Sequence, residues 1–522
     1  MNKRTSSRPP WRPAALATSV ALALTACVVG PDFHAPPAPK VADEAHPYTE
    51  APLPAQTASA PVAAGTPQRF VDGQDIPALW WQVFHSEALD GLIREALANS
   101  PTLASAQAAL RAAQESYNAQ AGATLYPNVN AQFAASRQKS ALDSGGVPAG
   151  TVYNVFNVAA NVSYTIDLFG GNRRELEALQ SAVDYQRYQV EATYVSLTSN
   201  VVATAIQEAS LRAQLAATRD VVAAAQKTLD ILTKQVELGA VARGAILLQQ
   251  TQIAQAEAVI PPLERTLAQT RHQLSLLLGR LPGDDHLPTF DIDGLTLPDS
   301  LPVSVPSQLV QQRPDIRAAE ALLHEASARV GVATAALYPQ ITLTGSVNRE
   351  SFKLDKLFST GTTGWALAGG ILQPIFNGGA LQAQKRGAIA AFDQAQWQYR
   401  QTVLVAFTGV ADALRALELD AAGLETTARA EHYAHDSVDL IDRQFRLGAV
   451  SSLAALEAQR SWLQTKVTLA QAQAARMADT AALFQALGGG WWNAGEHADI
   501  SVAANATALT AAPAPAAGAT SN

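Results

Sequence analysis

Phe156-Asn157-Val158-Ala159-Ala160-Asn161-Val162-Ser163-Tyr164-Thr165-Ile166-Asp167-Leu168 alternates along its length. Phe156, Val158, Ala160, Val162, Tyr164, Ile166 and Leu168 share one face, and Asn157, Asn161, Ser163, Thr165 and Asp167 the other. Period two is the signature of a strand. The period changes at once after it. From Asn172 to Glu237 there is neither Pro nor Gly, which allows a helix on the order of 100 Å at 1.5 Å per residue. Gly239 and Gly244 end that pattern, and a second helix is predicted from Ala245 to Leu278. Pro261-Pro262 predicts a kink or break within it.

Working outward, the same landmarks recur. Asn99-Ser100-Pro101-Thr102-Leu103 opens a helix that stops before Tyr126-Pro127, and Gln312-Arg313-Pro314-Asp315-Ile316 opens one that stops before Tyr338-Pro339. Phe169-Gly170-Gly171 is echoed by Phe376-Asn377-Gly378-Gly379. Leu238-Gly239-Ala240-Val241 returns unchanged as Leu447-Gly448-Ala449-Val450. Four landmarks in one order at nearly constant offset predict an internal twofold repeat. The first copy covers 80–280, with strands at about 126–137 and 152–168. After a linker over 281–306, the second covers 307–492, with strands at about 338–349 and 363–376. The fourth strand alternates poorly and is placed through the repeat. Polar loops lie between the strands at Lys139 to Thr151 and Glu350 to Thr362. In the second copy the long helix is predicted from Ala380 to Leu447, returning to about Leu487. Beyond the N-terminal signal no run of eighteen apolar residues occurs, so a membrane crossing must use strands. Four strands cannot close a barrel, which needs about eight. A barrel built from this chain is therefore shared between subunits.

Lys3, Arg4, Arg8 and Arg12 precede a short apolar run, Ala14 to Ala23, which reads as an export signal over 1–26. The run ends at Leu24-Thr25-Ala26-Cys27, where Cys27, the single cysteine among 522 residues, stands as a lipidation site. The bland alternative is a chance cysteine beside an ordinary signal. Residues 27–79, rich in Pro, Ala and Thr, read as a lipidated N-terminal tether, and 493–522 as a disordered tail. The net charge of -8, with charged residues at 16%, excludes a basic surface for nucleic acid. No phosphate loop, GxSxG elbow or HExxH helix occurs, so no enzyme is expected. His432 and His435 lie three apart near Glu431, Asp436 and Asp439, a spacing that could put two metal ligands on one face. They read better as solvated polar positions, so no metal and no cofactor beyond the lipid on Cys27 is expected.

Together the motifs Cys27-Val28-Val29-Gly30-Pro31-Asp32-Phe33, Arg313-Pro314-Asp315-Ile316, Tyr338-Pro339 and Gln373-Pro374-Ile375-Phe376-Asn377-Gly378-Gly379 resemble the outer-membrane efflux proteins. This is the TolC-like family, in its lipoprotein branch. The resemblance implies an α+β membrane protein and a homotrimer. Its twelve-stranded β-barrel, four strands per chain, is continuous with a long α-helical periplasmic barrel. It implies an outer-membrane duct for small molecules, lipid-anchored and reaching into the periplasm. An inner-membrane RND-type transporter and a periplasmic adaptor are the implied partners, with outer-membrane lipid around the barrel. The adaptor would meet the helix tips at Leu238, Gly239, Ala240 and Val241 and at Leu447, Gly448, Ala449 and Val450, although those glycines also serve simply to reverse the chain. The family's periplasmic gate corresponds to the stretch around Asp412, Leu414 and Glu418, with Leu414 as constriction and the carboxylates as a ring. A solvated face with i,i+3 pairs such as Arg415 with Glu418 is the plainer reading. Two other functions remain open on the sequence: the exit duct of a type I protein secretion system, and a periplasmic coiled-coil lipoprotein.

Overall fold

The computed structural model describes residues 28–37, 48–141, 148–283 and 286–493. The expected signal, Cys27 and nearly all of the expected tail lie outside the described residues. In chain order, β1 (Arg69–Asp72), α1 (Glu87–Asn99) and α2 (Pro101–Leu125) precede β2 (Asn128–Lys139) and β3 (Val152–Ile166). Then come α3 (Gly171–Glu237), α4 (Gly244–Glu257), α5 (Ile260–Leu277), β4 (Ser300–Val303) and α6 (Pro306–Gln312). The chain continues through α7 (Pro314–Ala335), β5 (Gln340–Ser351), β6 (Thr363–Leu372), α8 (Ala380–Arg446) and α9 (Ser452–Ala486). Helix, two strands, a 67-residue helix and a returning helical segment thus follow one another twice.

Local chemistry sets the boundaries. Pro127 and Pro339 lack an N–H, so β2 and β5 begin one residue after them rather than at the tyrosines. Pro374 stops β6 at Leu372, short of the expected 376, and Gln373 turns its side-chain amide to the carbonyls of Leu337 and Pro374. Pro261-Pro262 produces a break rather than a kink: α4 ends at Glu257, and α5 restarts with the prolines in its first turn, where no N–H is needed. Ser86 and Ser451 cap α1 and α9 by accepting from Leu89 N and Ala454 N.

The chain divides into two compact units. One comprises residues up to Pro36, Ala109–Gln186 and Ala318–Arg400. Its sheet is antiparallel throughout, in the order β2-β3-β5-β6. The register puts Phe133 beside Val158, Val162 beside Gly345, and Val347 beside Trp365, so one face is apolar across all four strands. The opposite face aligns Asn130 with Asn161 and Ser346. The apolar face is bare: Phe133, Trp365 and Ile371 are 60%, 77% and 73% exposed. Among the described residues, strands β2 and β6 are edges with a partner on one side only.

The other unit comprises Pro37–Ala108, Arg187–Arg317 and Gln401–Asn522. Its core gathers Trp80, Trp81, Phe84, Ile93, Ile206, Leu417 and Phe484. The Trp80 ring stacks on Phe484 at 5.5 Å. Residues 48–79 are not the plain external tether expected. Thr57, Gln68 and Ile76 are buried, and Arg476, itself fully buried, donates to Thr57 Oγ1 and Thr66 O. Residues 281–306 are likewise more than a linker, because β4 within them pairs in parallel with β1. The last described residues close the unit. Trp491 Nε1 donates to Gln312 O, and Asn493 Nδ2 donates to Asp75 Oδ2 and Ile76 O.

Two glycines with the same backbone conformation should respond differently to alanine. Gly490 (φ +72°) has no room for a Cβ, which would meet Ile76 O at 2.8 Å. Gly239 (φ +73°) faces open space. Gly239→Ala should cost about 1–2 kcal/mol, the left-handed strain alone, and Gly490→Ala about 3 kcal/mol or more. Thermal melts followed by circular dichroism would read the difference, and equal losses would refute the tight-packing account of Gly490.

Candidate functional site

The residues just after Cys27 are docked against their own unit. Val29 N donates to Phe169 O, and Gly170, at φ +79°, leaves room for Val28, whose Cγ1 would otherwise meet a Cβ at 2.7 Å. Gly30, at φ +100°, lies so close to Gly331 that a Cβ would strike its Cα. Arg174 binds the segment by charge. Its side chain is 6% exposed, and its guanidinium forks between Asp32 Oδ1 at 2.6 Å and Glu177 Oε2 at 2.7 Å. The other Glu177 oxygen meets His324 Nε2 at 2.8 Å, and the His324 ring stacks on Phe33 at 4.3 Å. Burial of the guanidinium makes its loss of partners costly, although Asp32 itself is 82% exposed.

The two Leu-Gly-Ala-Val turns share one backbone. Gly239 and Gly448 sit at φ +73° and +75°. Ala240 N reaches back to Gln235 O and Gly239 N to Val236 O; Ala449 N reaches Gln444 O and Gly448 N reaches Phe445 O. Each is a Schellman ending, which needs the left-handed residue that glycine supplies. The side chains within each turn part company. Leu238 and Leu447 are 83% and 84% exposed. Val241 and Val450 turn inward onto a small core of Leu232, Phe445 and Ala455. Nearby, Gln459 Nε2 donates to Thr228 Oγ1 at 2.7 Å, tying α9 to α3.

The expected gate residues separate. Leu414 is 1% exposed and belongs to the core of its own unit, with Val410 and Leu417. That corrects its assignment as a constriction, since a side chain spent on the chain's own packing cannot line a passage. Glu418 pairs with Arg415 at 2.5 Å, as the plainer reading had it, and Arg415 also donates to Ala51 O. Asp412 is exposed. His432 and His435 both approach Asp436, at 3.5 and 3.8 Å. Among the described residues no group of three potential metal ligands occurs.

An acidic pair escaped the sequence. Asp420 on α8 neighbours Asp479 on α9, and among the described residues Oδ2 of Asp479 is buried without a partner. Burial, together with the neighbouring carboxyl, pushes Asp479 up to about 7. The cations nearest in sequence are engaged elsewhere: Arg476 with Thr57 and Thr66, and Arg415 with Glu418.

The folded chain holds this proton more tightly than an unfolded one, whose carboxyl titrates near 3.8. Stability should therefore fall as pH rises from that value to about 7 and level off above it. Asp479→Asn should flatten the decline in melts taken across that range, and an unchanged slope would count against a proton held on Asp479. For the N-terminal segment, Arg174→Ala should cost about 1.5–3 kcal/mol locally, speeding proteolysis at residues 28–37. Arg174→Lys should rescue little, lacking the fork. Equal cleavage of all three proteins would mean that the segment is not held by Arg174.

Comparison with known proteins accords with this geometry. The sequence profile of the outer membrane efflux protein family matches residues 92–280 and 305–489. The pyoverdine export outer membrane protein OpmQ of Pseudomonas aeruginosa is 32% identical over 429 residues, covering 80% of this chain and 89% of its own. The cation efflux system protein CusC of Escherichia coli is 30% identical over 486 residues, covering 90% and 97%. Among solved structures, the outer-membrane channel OprN superposes with a TM-score of 0.79 at 25% identity, covering 89% of this chain and all of its own. The chain belongs to the outer membrane efflux protein family.

Proposed function

We propose that the protein is the outer-membrane duct of a tripartite efflux pump, passing small molecules across the outer membrane. The observation that carries this reading is the four-stranded sheet with a bare apolar face, a polar opposite face and two unpartnered edges. Such a sheet suits hydrocarbon on one side and water on the other, with β2 and β6 pairing to further copies. Three chains would supply twelve strands, within the range of outer-membrane barrels. The internal twofold repeat is supported by the recurring order of elements. Relatives named for pyoverdine export, antibiotic efflux and cation efflux support a small-molecule cargo.

The remaining parts follow from the same reading. Cys27 carries the lipid, and the docked residues from Val28 to Phe33 hold it to the folded body. Leu238 and Leu447 offer apolar contacts to a periplasmic adaptor, which links the duct to an RND-type inner-membrane transporter. Their exposure, above four-fifths on turns of identical geometry, favours that role. Asp412, exposed, gives the passage its acidic character, while the charge of Glu418 is offset by Arg415; a threefold ring of carboxylates attracts cations. The duct supplies a path and no chemistry, as in its family of efflux ducts.

The protein extracted from outer membranes in mild detergent should run as a heat-modifiable trimer and conduct in planar bilayers. A monomer soluble after removal of its lipid, without conductance, would sink the duct and favour the coiled-coil lipoprotein. Leu238→Asp with Leu447→Asp should abolish drug resistance in a deletion strain while trimer and conductance persist. Asp412→Asn should lower cation preference, measured as reversal potential in a salt gradient. Retained resistance or unchanged selectivity would remove the corresponding residue from the assignment.

A further inference from the structure

Charge is unevenly spread over the sheet. The chain carries a formal net charge of -8, yet the loop end of its sheet is basic. Arg137 and Lys139 end β2, Arg349 lies near the end of β5, and Lys353 and Lys356 stand in the β5–β6 connection. The described acids there are Glu350 and Asp355. Strand alternation sorts the strand residues among them. Arg349 stands beside Val158 and shares its face with Val347 and Leu343. Arg137 and Lys139 continue the row that holds Phe133 and Ala135. These three cations therefore cap the apolar face, while Glu350, one residue along, belongs to the polar face.

Among the described residues none of the five cations makes an ion pair. Arg349 instead stands over the Phe358 ring at 5.6 Å and donates to Phe358 O at 3.2 Å. Phe352, Leu354 and Phe358 are all more than half exposed. Arg349 lies about 27 Å along the strand from Ile341, at 3.4 Å per residue. Allowing for strand tilt, that distance spans most of a hydrocarbon layer about 25 Å tall. A cation at the middle of the layer is costly, and at its boundary it is tolerated. Cations beside exposed aromatic and aliphatic side chains suit a ligand that carries both phosphate and acyl chains. Free phosphate would use the charges and leave the apolar groups idle.

We propose that this basic, aromatic edge of the apolar face binds the phosphate-bearing headgroup of an anionic lipid in the outer leaflet. The inference rests on the barrel reading, which makes the apolar face the lipid-facing one and the strand loops extracellular.

The test uses the full-length trimer in phosphatidylcholine nanodiscs, titrated with bis-phosphorylated lipid A and read by native mass spectrometry. Arg137→Gln with Arg349→Gln should weaken lipid A binding at least about tenfold, with conductance unchanged. Lys353→Gln with Lys356→Gln, in an exposed connection away from the strands, should weaken it in the same direction. Equal binding by wild type and both variants would overturn the proposal. So would full displacement of lipid A by inorganic phosphate alone, which would reduce the surface to a plain anion patch. Wild-type protein that forms neither trimer nor conducting channel would instead overturn the barrel reading, and the lipid site with it.

Discussion

A strand's N–H and C=O groups cannot be left bare in hydrocarbon, and on the proposed barrel reading that requirement falls on β2 and β6. Each is paired on one side only, and β6 presents Trp365, Leu367 and Ile371 at 77%, 80% and 73% exposure. In water so long an apolar edge would invite aggregation. In a membrane the same edge is a joining surface, because only closure satisfies its backbone. The register matters for the same reason. A slip of one residue between β3 and β5 would carry Val158 and Val162 to the face now held by Asn157 and Asn161, leaving neither side matched to its surroundings.

The helices answer a different problem, which is how very long elements approach one another closely. Ala205 and Ala209 on α3 and Ala470, Ala474 and Ala481 on α9 are all buried. Small residues permit close approach at no rotamer cost, and the bulk is concentrated where α1 and the preceding turn insert Trp80, Trp81 and Phe84. One buried charge is answered by two arginines. Glu208, with no exposure, lies between Arg212 at 3.0 Å and Arg271 at 2.6 Å. Removing either arginine would leave a buried carboxylate short of its partner, a costlier change than never having had the pair.

These two problems left unequal traces in the sequence. The alternation of β3 was plain because its two faces differ in polarity. That of β6 was hidden because both faces are apolar and differ in size: Trp365, Leu367 and Ile371 against Gly364, Ala366, Ala368 and Gly370. Helix α3 could be read from the absence of Pro and Gly between Asn172 and Glu237, whereas α8, which carries Gly387, Gly409 and Gly423, followed from the repeat. The ends of both could be read from the glycines of the turns. The burial of Leu414 follows from the period of its helix rather than from the charges beside it. Val410, Leu414, Leu417, Ala421 and Leu424 are all buried at helical spacing, a core stripe visible in the sequence. Asp420 with Asp479, and Arg174 with Asp32, could not be found that way. Such pairs join distant segments, and only the folded chain brings them together.

The contact between the chain's ends in the helical unit bears on how the protein is made. Trp80 stacks on Phe484, and Asn493 holds Asp75 and Ile76. That core is therefore incomplete until residues near both ends have emerged. A chain threaded across the inner membrane in order would have its early tryptophans waiting, bare, for a helix not yet delivered. The core of the unit can close only once α9 has been delivered. A chain cut short before α9 would lack Phe484 and leave Trp80 without its stacking partner.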